Sequence, residues 1–289
     1  MTFNDNARIN PSKVSRRGRS TGIAVGGGSA LLVIGLFFAS QFLGVDLMGL
    51  AGGGATGGEQ SQGQALSQCT TAEAANTDID CRIAAAADSL DTYWADQLQS
   101  SYRSTNVVLF TGQATTGCGG ATSASGPFYC PSDETIYLDT AFYDDLRTRY
   151  GSTGGPLAEI YVIAHEWAHH IQNAAGIMDG LDRQDTGPAS DSVRLELQAD
   201  CFAGAWVGAA STIRNDDGVV FLDPVTDAHI ADALSAASAI GDDRIQEATQ
   251  GQVTPETWTH GSSDQRQRWF TTGLNGGPNA CNLFEVATP

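Results

Sequence analysis

His165-Glu166-Trp167-Ala168-His169 lies in the middle of Pro156-Leu-Ala-Glu-Ile-Tyr-Val-Ile-Ala-His-Glu-Trp-Ala-His-His-Ile-Gln-Asn-Ala-Ala175. Gly154-Gly155 breaks the chain before it, and proline suits a first helical turn. The spacing predicts a helix from Pro156 to about Ala175. Residues i and i+4 share one face of a helix. Two imidazoles at that spacing can close on one zinc ion at about 2.0–2.1 Å each. Glu166 follows the first histidine and can take a proton from an attacking water, then pass it to a leaving amine. Leu157, Ile160, Val162, Ile163 and Ile171 make the helix a buried one. Two histidines and a glutamate on such a face are costly without a partner. The pattern is short enough to arise by chance, so the rest of the chain has to supply what a zinc site needs.

A zinc hydrolase needs a third protein ligand and an open position. The next predicted helix, about Pro188 to Ala210, carries Glu196-Leu-Gln-Ala-Asp200. Glu196 and Asp200 are again i and i+4. A Glu196 carboxylate completes a His165, His169, Glu196 set. Asp200 can then accept the free ring N–H of a ligand histidine and fix its tautomer. The reverse assignment, with Asp200 as ligand, stays open. A solvated acidic face is the plain alternative, but Leu195, Ala199, Cys201, Phe202 and Trp206 make this helix largely apolar. His170 points about 100° away from His169 and is expected to pack or hydrogen-bond. His229 reads as an ordinary helix histidine. His260 lies in a loop before a last helix that Ser262 or Ser263 can cap. It can serve as a catalytic oxyanion partner or as a capping residue.

Taken together, His165-Glu-Trp-Ala-His-His170, Glu196-Leu-Gln-Ala-Asp-Cys-Phe-Ala-Gly204, Gly241-Asp-Asp-Arg244 and His260-Gly-Ser-Ser-Asp-Gln-Arg266 resemble the bacterial neutral zinc metallopeptidases. Gly126-Pro-Phe-Tyr-Cys-Pro131 and Ile136-Tyr-Leu-Asp139 belong to the same resemblance, which runs over about residues 69–285. It implies a zincin-like fold of the gluzincin type and one zinc ion per chain on His165, His169 and Glu196. It also implies Glu166 as catalytic base. The Glu-x-x-Ala-Asp segment and a later histidine six residues before an arginine are similar to integral-membrane zinc proteases as well. That similarity implies a transition-state role for His260, with Arg266 in a supporting role.

Working outward, residues 79–102 read as a helix and Asn106–Phe110 as a strand. Phe128-Tyr129 and Thr135–Asp139 read as strands around a Cys- and Gly-rich turn. The strand at Ile136–Leu138 can offer an edge to an extended peptide or lie in the core. Residues 140–150 and 226–250 read as helices. A few strands followed mostly by helices indicate an α+β body.

The ends carry other signals. Residues 1–50 hold five basic and two acidic side chains; the remaining chain holds ten arginines and 31 acids. An acidic body argues against nucleic-acid binding, which needs clustered Lys and Arg. Residues 22–45 contain no charge, enough at about 1.5 Å per residue to cross a bilayer core of roughly 30 Å. We therefore expect a basic cytoplasmic tail (1–20), a single transmembrane helix (21–45), a Gly/Ser/Gln-rich flexible linker (46–68) and an extracytoplasmic domain (69–289). A cleaved signal peptide is the competing reading. Cys69, Cys81, Cys118, Cys130, Cys201 and Cys281 all follow the span and suit disulfides in an exported body. The simplest pairing is Cys69–Cys81, Cys118–Cys130 and Cys201–Cys281. The expected function is a membrane-anchored zinc peptidase acting on a peptide or protein. The alternatives are an envelope scaffold with a structural zinc and a zinc amidase acting on cell-wall peptide.

Overall fold

A computed structural model describes residues 2–17 and 63–289. The fold is α+β. One mixed sheet has the order β2-β1-β3-β7-β6, with β1 Val14–Arg16, β2 Gln64–Ala65, β3 Asn106–Phe110, β6 Phe128–Cys130 and β7 Thr135–Asp139. β1, β3 and β7 run parallel; β2 and β6 are antiparallel edges. A separate hairpin, β4 Gln113–Thr116 and β5 Gly119–Thr122, fills the Cys- and Gly-rich region between β3 and β6. β7 therefore lies inside the sheet, with every residue buried. Its edge is not available, and the strand at the open edge is β6.

The helices are α1 Ala72–Thr77, α2 Ile79–Leu98, α3 Phe142–Thr148, α4 Pro156–Ala174, α5 Asp191–Ala209, α6 Asp227–Ala239, α7 Asp242–Gln250 and α8 Ser263–Gly276. Local chemistry sets their starts. The Ser190 hydroxyl accepts the Val193 N–H ahead of α5, and Ser262 and Gln265 form a reciprocal cap on α8. The long helix expected over 226–250 is two. The chain turns at Gly241, where a Cβ would meet the Ser263 nitrogen at 2.6 Å. Asp242 N–H then bonds to Gly261 O at 2.9 Å, which starts α7 in a new direction.

α5 and α8 pack backbone against backbone. A Cβ on Gly273 would lie 1.8 Å from Cys201 O, and one on Gly204 would lie 2.0 Å from Phe270 O. Only glycine allows this approach, and it brings the side chains of α8 across to those of α5. The three disulfides are Cys69–Cys81, Cys118–Cys130 and Cys201–Cys281, the simplest pairing. The last ties α5 to the chain beyond α8.

Residues 2–17 correct the expectation of a flexible tail. Phe3, Ala7, Ile9 and Val14 are buried in the main core. β1 pairs with β3 in register Val14↔Val107 to Arg16↔Leu109. Phe3 N–H donates to Asn76 Oδ1 at 2.8 Å, and Asn76 Nδ2 returns a bond to Phe3 O at 3.0 Å. Two of the basic residues are paired as well. Arg16 grips both Asp80 oxygens at 2.5 and 2.6 Å, and Lys13 lies 3.5 Å from Asp91. The end of the expected linker is folded too, since Gln64 and Ala65 pair with β1 and Leu66 is buried.

Among the described residues no helix is long and apolar enough to cross a membrane. The span expected at 21–45 lies outside the described residues. In the folded protein, Val14→Asp places a carboxylate at a buried strand position. It should lower stability by about 3 kcal/mol or more, read by denaturant unfolding; an unchanged midpoint would show that β1 is not paired.

Candidate metal centre

α4 and α5 face each other across the cleft floor. On α4, His165 and His169 put their ring centroids 4.8 Å apart. On α5, Glu196 meets both rings. Its Oε2 is 3.0 Å from His165 Nε2, and its Oε1 is 3.4 Å from His169 Nε2. All three donor atoms lie within 4.8 Å of one another. A tetrahedral zinc with ligands at about 2.0–2.2 Å holds neighbouring donors roughly 3.3–3.5 Å apart. The set therefore fits zinc in both chemistry and spacing.

Electrostatics favour the ionised Glu196 carboxylate. Burial alone would keep Glu196 neutral, but His169, His165 and His260 outweigh it and hold the carboxyl well below the usual range. Glu166 lies beside this set and is buried. Burial raises its pKa above the ordinary carboxylate value, with the histidines opposing. The Tyr129 backbone N–H donates to it. A carboxyl group in that position gains affinity for a proton without losing its hydrogen bond to the strand.

Each ligand has a backing group. Asp200 Oδ1 is 2.9 Å from His165 Nδ1, which leaves Nε2 to the centre. Asp200 is fully buried, and Arg266, on α8, is 1% exposed. Arg266 Nε lies 2.9 Å from Asp200 Oδ2, and its terminal nitrogen donates to Oδ1 at 3.0 Å. Burial disfavours the Asp200 charge, yet Arg266 and His165 keep its pKa low. The Tyr161 hydroxyl donates to the same carboxylate. Gln172 backs the other ligand, with Oε1 2.8 Å from His169 Nδ1 and its amide donating to Leu195 O at 2.8 Å.

His260 lines the same cleft. Asp242 holds it. Asp242 Oδ2 accepts the backbone N–H groups of Thr259, His260 and Gly261 at 2.7, 2.7 and 3.0 Å. Its Oδ1 lies 3.2 Å from His260 Nδ1. Burial opposes the imidazolium, but Asp242 wins and raises the His260 pKa. Asp243 accepts Ser263 N–H at 2.8 Å and pins the start of α8. The Gly241-Asp-Asp243 segment thus joins α7 to the His260 loop.

His165, Glu166, His169, Glu196 and His260 meet at one cleft, with Asp200 and Arg266 directly behind. His170 and His229 stand apart. His170 bonds Arg103 O and the Tyr129 hydroxyl at 2.6 and 3.1 Å. His229 caps α6 with Thr226. Sequence reasoning missed Tyr161 and Gln172. Tyr161 and Gln172 are i−4 from His165 and i+3 from His169, so the helical row was a usable signal. Asp242 stood out within Gly241-Asp-Asp-Arg244, but its role was not legible because its partners lie 17 to 19 residues away.

Residues 3–284 match the family described as "putative neutral zinc metallopeptidase". The chain belongs to this family. It is 50% identical to the uncharacterized protein Rv2575 of Mycobacterium tuberculosis over 224 residues, 77% of this chain and 76% of that one. It is 37% identical to the uncharacterized protein YpfJ of Escherichia coli K12 over 284 residues, covering 93% and 94% of the two chains. No solved structure matches. Family membership implies zinc, and the His165, His169, Glu196 set is where the chain can hold it.

Arg266→Ala leaves the Asp200 charge buried without its cation. The expected loss is about 3–5 kcal/mol in denaturant unfolding. A loss near zero would show that the pair is not desolvated in the folded protein.

Proposed function

We propose that this protein is a zinc-dependent peptidase with a zincin-like catalytic domain. The observation that carries the reading is the buried His165, His169, Glu196 set with the Glu166 carboxyl group in the same cleft. Zinc held there supplies Lewis acidity toward the scissile carbonyl and lowers the pKa of a water. The remaining work falls to the chain. Glu166, raised in pKa and aimed by Tyr129 N–H, receives the water proton and delivers it to the leaving amine. His260, oriented by Asp242 and raised in pKa by it, donates to the oxyanion. β6 is the sheet edge at the cleft, with Phe128 and Tyr129 in its wall, and an extended substrate can lie along it.

Two further observations support an open catalytic site over a closed structural one. Structural zinc sites usually have four protein ligands. Here Asp200 is taken by Arg266, Tyr161 and His165, and His260 Nδ1 faces Asp242. Among the described residues the donor group at the cleft has three members. Three disulfides support a body that folds outside the reducing cytoplasm.

The zinc-loaded protein should cleave members of a peptide library. Glu166→Gln should keep zinc, measured by elemental analysis, and lose about 10²–10⁴-fold in kcat. Cleavage by Glu166→Gln at the wild-type rate would overturn the mechanism.

A further inference from the structure

The loop joining the two metal helices, residues 175–190, carries Arg183 to the cleft that contains His165, Glu166, His169 and Glu196. The loop is pinned on both sides. Thr186 Oγ1 donates to Glu256 O and Gly187 N–H to Trp258 O, each at 2.8 Å. Ser192 Oγ donates to the Arg183 carbonyl at 3.1 Å, so the backbone that bears the side chain is fixed.

The guanidinium is partly buried and has acidic neighbours in the chain, yet they are engaged elsewhere. Asp182 Oδ1 accepts Gln184 N–H at 3.0 Å, and Asp185 Oδ2 accepts Asp191 N–H at 3.4 Å. Among the described residues none accepts a hydrogen bond from the Arg183 side chain. Arg82, Arg103, Arg147 and Arg149 have carboxylate partners, whereas Arg194 and Arg214 donate to backbone carbonyls on the protein's own surface. Arg266, which also lines the cleft, is neutralised by Asp200.

The formal charge of the chain is −18, and Glu166, Glu196 and Asp242 all line the cleft. His260 is turned to Asp242, and Glu196 is committed to the metal set, so a substrate carboxylate lying away from the metal is favoured where a further cation meets it. A guanidinium meets a carboxylate with two parallel N–H···O bonds, which gives direction as well as attraction.

We propose that Arg183 is a specificity-determining residue that holds a carboxylate of the substrate, either the C-terminal α-carboxylate of a peptide or an acidic side chain. The proposal rests on the peptidase reading. A held α-carboxylate makes the protein trim chain ends. A held side chain makes it cut within chains near acidic residues.

The test uses four peptides of one sequence, with a free or amidated C-terminus and with Glu or Gln at one position. Steady-state kinetics are measured for wild type, Arg183→Gln and Arg183→Lys, all zinc-loaded. In wild type one of the two carboxylates should raise kcat/KM about tenfold, mainly through KM. The peptide pair that shows it identifies the source. Arg183→Gln should abolish the advantage and Arg183→Lys should restore part of it. Equal kcat/KM within both pairs in wild type, or an advantage that survives Arg183→Gln, overturns the proposal. If wild type cleaves none of the four, the peptidase reading fails on these substrates. Calorimetric binding of the same peptides to Glu166→Gln and to Glu166→Gln/Arg183→Gln then decides the role of Arg183 by the same tenfold criterion.

Discussion

The buried pair between Asp200 and Arg266 is the interaction on which the site depends. A carboxylate and a guanidinium taken fully out of water carry a large desolvation cost, which close geometry and additional hydrogen bonds offset. Here Asp200 Oδ1 meets an Arg266 terminal nitrogen, the Tyr161 hydroxyl and His165 Nδ1, while Oδ2 has the ion-pair contact with Arg266 Nε at 2.9 Å. One anion therefore fixes three elements. Tyr161 and His165 belong to α4, Asp200 to α5 and Arg266 to α8. Because Asp200 engages Nδ1, His165 has only Nε2 to offer the centre. The direction of a metal ligand is thus set by a charge pair behind it.

That pair could not form if α5 and α8 packed at the usual separation. Gly273 and Gly204 remove the side chains that would keep the two backbones apart. Cys201, next to Asp200, is tied by disulfide to Cys281 beyond α8. Gln198 Nε2 donates to Cys281 O at 3.0 Å, and Gln198 also meets the amide of Gln172 behind His169. The close helix contact, the disulfide and the amide relay all act on one side of α5. The other side carries Glu196. The helix is immobilised from behind and presents its carboxylate forward.

The contiguous parts of this arrangement were legible in the sequence. Spacing within one helix fixes which residues share a face, so the His165–His169 and Glu196–Asp200 pairs could be read directly. The local cysteine pairs were legible for the same reason, and the third pair followed from them. Groups that meet only through folding were not. Asp242 holds His260 because α7 starts at a break in what reads as one long helix, and nothing in the local pattern places that break. β7 looks like an available strand because it is apolar; it is apolar because β3 and β6 cover both of its edges.

The basic N-terminal residues show the same limit at the level of charge. Counting gave a cationic end and an acidic body, and asymmetry across an apolar run reads as topology. Counting does not show partners. Arg16 finds Asp80 and Lys13 finds Asp91, each more than sixty residues along the chain. Their charges are already used inside the fold, and Phe3, Ile9 and Val14 complete its core. The family match begins at residue 3, and the similarity to the Escherichia coli protein covers 93% of this chain. Both extend to the segment that reads from sequence as a separate tail. A tail that served only to orient a membrane span would need positive charge and little else. Hydrogen bonds to Asn76, a register against β3 and three buried apolar side chains are requirements of a strand in a domain.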